Sequence, residues 1–156
     1  MNIIFKIATE KDAEIIGDLV IKLTEEICTK TNAKHFDIDL PGTIKRCRDL
    51  IHDKNYGAII GYFSNKPIAV STFTESYALY AGGKVGIIPE FYVDPEFRSS
   101  GVGESLLSQI KDYGRNNGWS CIELCTPPLP EFERTLLFYH KNGLVPVGGR
   151  KMRQYL

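Results

Sequence analysis

The run "FYVDPEFRSSGVGESLLSQI", residues 91–110, constrains the fold more than any other stretch of the chain. A strand-like apolar segment stops at Pro95, passes Arg98, Ser99, Ser100, Gly101 and Gly103, and leads into Val102, Leu106, Leu107 and Ile110 at helical spacing. A helix that starts straight after a strand offers first-turn N–H groups with no intrahelical acceptor, together with the positive end of its dipole. Glycines let an anion come close to those amides. The hydroxyls of Ser99 and Ser100 add donors, and the Arg98 guanidinium adds permanent charge. A diphosphate suits such a loop; a tight turn with no ligand is the plain alternative. The Lys-Ser/Thr pair of a Walker loop is missing, and so is the third glycine of the dinucleotide fingerprint.

The hydrophobic period sorts the remaining elements. Ile3 to Ala8 reads as a first strand, and Thr9 opens "TEKD", a capping-box-like start to a long helix reaching about Lys30. A polar break with Pro41 and Gly42 precedes a second helix, expected from about Thr43 to His52. From Gly57 the period changes to 2, so "GAIIGYF", the turn "SNKP" and "IAVSTFTESYALY" predict an antiparallel hairpin. "VGIIPEFYV" reads as a fourth strand and "CIELC" as a fifth, parallel to it across the helix behind Gly101. "EFERTLLFYHKNG" reads as a last helix, and "LVPVGG" with "RKMRQYL" as a closing strand pair. The expected fold is α/β (α+β): a mixed, mostly antiparallel sheet of about six to seven strands with about four helices, ordered β-α-α-β-β-β-α-β-α-β-β. Without a repeat, low-complexity tract or linker, one domain over residues 1–156 is expected.

Composition excludes several classes. Nineteen basic residues balance nineteen acidic ones, which argues against generic nucleic-acid binding. The cluster Lys141, Arg150, Lys151 and Arg153 reads as a solvated edge, with a ligand role as the alternative. No apolar run approaches the roughly 20 residues that cross a bilayer, and the N-terminal run lacks a basic n-region, so neither a membrane span nor a signal peptide is expected. Cys28, Cys47, Cys121 and Cys125 lack metal or redox spacing, and His35, His52 and His140 lack metal spacing. A cytoplasmic protein with reduced thiols and no metal is expected.

Val93 to Gly103, V-D-P-E-F-R-S-S-G-V-G, resembles the acetyl-CoA diphosphate loop of the GNAT superfamily of N-acetyltransferases, V-x-P-x-x-R/Q-x-x-G-x-G/A. "IPEFYV" resembles that family's fourth strand and "ERTLLFYHKNGLVPV" its last helix, and the element order agrees. The resemblance implies a GNAT-like fold, acetyl-CoA as co-substrate, and direct acetyl transfer to a primary amine of a small molecule or peptide. It implies that pantetheine pairs with backbone at Phe91, Tyr92 and Val93, and that Arg98, Ser99, Ser100, Gly101, Val102 and Gly103 hold the diphosphate. It puts Glu90 where many members carry a general base, and it matches Tyr139 to the tyrosine that protonates the departing sulfur. The N–H of Val93 or a neighbour is the oxyanion candidate. A solvent-facing Glu90 and a core-packed Tyr139 are the alternatives. Pro89 reads as a disruption of pairing near the thioester, or as an edge proline.

Where the family often carries Asn to contact the cofactor, this chain has Phe132, and Thr126 is the candidate for a compensating polar contact. The segments that usually meet the acceptor offer His35, Phe36, Asp37, Asp39, Glu75, Tyr77 and Tyr80; His35, Phe36, Glu75 and Tyr77 are the expected contacts. Two aspartates beside aromatic rings suit a cationic amine. Members of the family are often homodimers, and nothing in the sequence fixes the assembly. The rival reading is a non-catalytic acyl-CoA-binding regulatory or interaction module.

Overall fold

In the computed structural model, which describes residues 1–34 and 36–156, Thr9 does cap the chain leaving the first strand, β1 (Ile3–Ile7). Its N–H donates to the Asp12 carboxylate at 2.8 Å while its hydroxyl accepts from the first-turn backbone, closing the capping box. One 3-10 turn leads into α1 (Ala13–Thr31), which ends at Asn32 in the left-handed region at φ 54°. The second helix, α2 (Leu40–His52), starts earlier than the sequence predicts. Asp39 accepts from Gly42 N–H at 3.1 Å, and Pro41 sits in the first turn, where a missing N–H breaks no helical bond. His35 lies outside the described residues.

The hairpin is formed as expected by β2 (Gly57–Phe63) and β3 (Lys66–Ala78). Its loop residues Ser64 and Asn65 take φ of 48° and 66°, the sense of twist that a two-residue hairpin turn needs. The stretch expected as one fourth strand is two: β4 (Gly83–Ile87) and β5 (Phe91–Val93), both antiparallel to β3. After α3 (Val102–Asn116), β6 (Cys121–Glu123) pairs with β4 in parallel. The sheet order is β1-β2-β3-β4-β6, with β5 paired to β3. This is the mixed, mostly antiparallel sheet of the sequence expectation.

Two layers cover the sheet. Ala13, Ile16 and Leu19 of α1 and Cys47 of α2 form a buried cluster with Ala58, Ile60, Val70 and Tyr92. Phe73 has the opposite parity on β3 from Val70, and its ring lies 4.5 Å from Tyr113 of α3, so α3 covers the other face. There Val102, Leu106, Leu107 and Ile110 are buried. Trp119 packs edge-on against Phe73 and Tyr113, and its Nε1 donates to Glu75 at 2.8 Å.

Contacts divide the chain into two compact units, Met1–Cys125 and Thr126–Leu156. The second holds α4 (Glu133–Lys141), which stops at Gly143 with φ 88°. The expected closing strand pair is not formed; no ladder includes residues 144–156. Gly148 and Gly149 do take positive φ, as a hairpin turn would. An isolated two-stranded hairpin is marginal, however, and Pro146 offers no ladder donor.

Glycine is required where Trp119 meets the sheet. A Cβ built at Gly86 would overlap the Trp119 ring, and one at Gly114 would crowd it. Gly86→Ala is therefore expected to lower stability by about 1–3 kcal/mol through overpacking. A lowered urea midpoint checks this, and an unchanged midpoint contradicts the packing.

Candidate active site

The break between β4 and β5 is a change of register. β4 pairs Ile87 with Thr74, whereas β5 pairs Phe91 with Ser71, so residues 88–90 stand opposite residues 72–73. One extra residue on one strand is a β-bulge. Pro89 sits in it, where its missing N–H breaks no ladder. Thr72 N–H donates to Glu90 O at 3.0 Å, so Glu90 lies opposite Thr72 on the face covered by α1 and α2. Had the β4 register continued, Glu90 would oppose Ser71 and turn to the α3 face.

Three groups meet at Glu90. Its carboxylate accepts from the Tyr56 hydroxyl at 2.5 Å and from the Thr72 hydroxyl, and its N–H donates to Thr72 Oγ1 at 3.1 Å. Burial, the Glu90 charge and the hydrogen bond to it push the Tyr56 phenol far above its ordinary range, so it remains a donor. Glu90 and Thr72 floor a cleft of roughly 280 Å³ whose walls come from Ile16, Val20 and Thr24 of α1 and Thr43, Arg46, Cys47 and Leu50 of α2, with Phe36, Asp37 and Tyr56 completing the lining. At the Asp37 side, Arg46 Nη2 donates to Asp37 Oδ2 at 2.5 Å. Burial, reinforced by the Glu90 charge, raises the Cys47 thiol to about 11, so it is inert at neutral pH.

Thr72 with Glu90 and Ile68 with Asp94 are hydrogen-bonded at 3.0 and 2.8 Å, so the antiparallel alternation turns the Tyr92 backbone toward β3 and that of Phe91 and Val93 away from it. The ladder from β4 to β6 ends where Ile88 N–H donates to Glu123 O at 2.9 Å, and β5 has no strand partner besides β3 among the described residues. The two neighbouring strands therefore part here, next to Glu90.

The loop that follows is held by its own side chains. Arg98 Nε donates to Val93 O at 2.8 Å, and its two terminal nitrogens donate to both oxygens of Glu26 on α1 at 2.9 and 2.7 Å. The Ser100 hydroxyl donates to Phe97 O at 2.6 Å. Ser99 and Gly101 take φ of 63° and 85°, and Gly101 opens α3 with no side-chain cap. Ser105 N–H is bonded back to Gly101 O at 3.0 Å, leaving the preceding amides, at Val102 and Gly103, without an intrahelical acceptor. A Cβ placed at Gly101 meets nothing within 4 Å. Open space before uncapped amides fits a diphosphate, with backbone rather than the Arg98 side chain as the contact.

Other expected residues fall elsewhere. Glu75 and Tyr77 do not line the cleft. Glu75 accepts from Trp119 and stands 3.5 Å from the Lys84 ammonium, while Tyr77 is exposed on β3. Phe36 does line it. In the second unit Thr126 is half-buried, Phe132 is buried at the start of α4, and Tyr139 is buried on that helix. Burial raises the Tyr139 phenol well above its usual range, so it stays protonated. Tyr56, Thr72 and Glu26 were not legible beforehand. Only the bulged register identifies Thr72 as the neighbour of Glu90, and Glu26 lies 72 residues from Arg98. Among the described residues, no group of three or more His, Cys, Asp or Glu could hold a metal ion, and no helix is long and apolar enough to cross a membrane.

A mixed sheet whose strands part beside a carboxylate is followed here by an uncapped glycine loop. The family model described as "Acetyltransferase (GNAT) family" matches residues 19–143, and the chain belongs to that family. A Bacillus subtilis (strain 168) protein named uncharacterized N-acetyltransferase YhfO is 34% identical over 74 residues. That match spans 46% of this chain and only about half, 48%, of the curated relative's length. Among solved structures, an aminoglycoside N-acetyltransferase AAC(6')-Iy in complex with CoA is similar at TM-score 0.80 and 13% identity, over 99% of this chain and 95% of that one. A ribosomal-protein-alanine N-acetyltransferase from Brucella melitensis biovar Abortus 2308 is similar at TM-score 0.74 and 16% identity, over 99% and 100%. At these identities the likeness is one of fold.

The Arg98 clasp lowers the Glu26 carboxyl to about 2, with the Arg98 hydrogen bonds as the largest cause. A carboxylate held below its ordinary value of 4.5 stabilises the fold above that pH and loses this contribution as pH falls toward 2. Glu26→Gln is thus expected to flatten part of the acid limb of the stability curve between pH 4.5 and 2, measured by urea midpoints. An acid limb identical to that of the natural protein would contradict the clasp.

Proposed function

We propose that this protein is an acetyl-CoA-dependent N-acetyltransferase that transfers the acetyl group directly to a primary amine. The observation that carries this reading is the Glu90 carboxylate: it floors a cleft on one face of β5, next to the point where β5 parts from its neighbour and just before an uncapped glycine loop. Acetyl-CoA supplies an acetyl thioester, whose carbonyl carbon the amine nitrogen attacks while the carbon–sulfur bond breaks.

The residues of the chain divide the work. The outward backbone groups of Phe91 and Val93 bind pantetheine as an added strand, with Tyr92 anchored in the core between them. The amides of the 98–103 loop, chiefly those at the start of α3, bind the diphosphate. An aliphatic ammonium has a pKa of about 10.4 and is not nucleophilic until it loses a proton. Glu90 takes that proton, directly or through water, while Tyr56 and Thr72 hold its carboxylate in one orientation. Tyr139 is assigned as donor to the departing sulfur because it occupies the family motif "FYHKNG" and its buried phenol stays protonated. A cysteine nucleophile is not needed, and Cys47 in the cleft is held as a thiol.

Release of free thiol from acetyl-CoA across an amine panel tests the reading. Glu90→Gln is expected to lower kcat/KM for the amine by about 10²–10⁴-fold, with CoA affinity nearly intact. Tyr139→Phe is expected to lower kcat with CoA affinity likewise retained. Gly101→Val forces a branched side chain into φ 85° and is expected to abolish CoA binding measured by calorimetry. Tight CoA binding with no thiol release from any amine would turn the assignment to a non-catalytic CoA-binding module, and CoA binding that survives Gly101→Val would remove the loop from the site.

A further inference from the structure

Resting on the acetyl-transfer reading, the geometry points to one class of acceptor: a primary amine with a single positive charge on a compact apolar or aromatic body. Most of the cleft wall is apolar, from Ile16, Val20, Phe36, Cys47 and Leu50. Two carboxylates line it. Glu90 is on the floor, and Asp37 is already paired with the Arg46 guanidinium. Arg46 is itself a lining residue and Thr24, Thr43 and Tyr56 add only neutral hydroxyls, so the lining offers a second ammonium no carboxylate that is not already paired. An unpaired charge against such a surface loses hydration without compensation.

Size points the same way. An apolar cavity of about 150 Å³ takes a benzene ring, so a cleft of roughly 280 Å³ has room for one ring with a short arm. An arylalkyl amine fills this volume with its nitrogen at the floor and its ring against Leu50 and Phe36. A multi-ring polycation would extend out of it into solvent. The Tyr56 and Thr72 hydroxyls both donate to Glu90, so its carboxylate keeps the remaining acceptor capacity for one ammonium.

The test compares 2-phenylethylamine, spermidine and kanamycin on the full chain. Binding is measured by calorimetry in the presence of saturating CoA, and turnover by thiol release from acetyl-CoA. The expected result is at least tenfold tighter binding and tenfold higher kcat/KM for 2-phenylethylamine than for either polycation. Leu50 is exposed, and Leu50→Glu should shift the kcat/KM ratio at least tenfold toward spermidine by placing a second anion in the wall. Preference for a polycation by the natural protein, or a ratio unmoved in a folded Leu50→Glu variant, overturns the assignment. So does a failure of 2-phenylethylamine both to bind and to turn over. Selective binding of 2-phenylethylamine without thiol release supports the acceptor class and counts against acetyl transfer; thiol release from polycations alone supports transfer and overturns the acceptor class.

Discussion

One surplus residue in a sheet organises this molecule. The Ile88–Glu90 segment is longer by one than the part of β3 it faces, and every later side chain of that strand changes face as a result. The bulge carries Glu90 onto the α1/α2 face, opposite Thr72 and beneath a cleft. It also detaches β5 from the line of β4, whose partner β6 ends at Glu123. A carboxylate that faces one way and a strand edge that faces another thus come from a single register shift. In an enzyme that brings an amine to a thioester, those are the two surfaces that have to meet.

The second constraint is long-range. Arg98 reads in sequence as a cation for a phosphate, yet its guanidinium is bidentate to Glu26 and its Nε is on the Val93 carbonyl. Such planar, charge-assisted pairs are among the more directional contacts available to a side chain. The effect is to tie the end of β5 and the start of the glycine loop to α1, whose Ile16, Val20 and Thr24 line the cleft. One helix therefore supports both the glycine loop and a wall of the cleft. In the proposed function the diphosphate is left to backbone amides, which carry no side-chain entropy and need no charged group aimed at solvent.

Most of the scaffold was legible in the sequence because it rests on local signals. The capping box at Thr9, the "SN" hairpin turn and the glycine before α3 each act over a few residues, and each is present. The bulge was half legible: Pro89 signalled broken pairing, but the direction of Glu90 depends on pairing with β3 and cannot be read from the strand alone. Tyr56, Thr72 and Glu26 depend on contacts across the fold, so their residue types carry no local mark. Glu75 illustrates the reverse case. As an acid in the third strand it was an expected acceptor contact, and the fold uses it to satisfy the indole N–H of Trp119. The closing strands had the right turn glycines but no ladder, since alternation and turn chemistry do not supply a partner edge.

In the proposed function the bulge separates a donor edge from an acceptor cleft and joins them at Glu90. A crystal structure with a bisubstrate ligand, CoA linked through its sulfur by an acetamide to 2-phenylethylamine, tests it most directly. Pantetheine is expected to be hydrogen-bonded to the backbone of Phe91 and Val93, the diphosphate to lie on the amides that open α3, and the phenylethyl group to sit in the α1/α2 cleft with its nitrogen beside Glu90. A ligand that leaves the β5 edge bare, or sends its phenylethyl group away from the cleft, would contradict it.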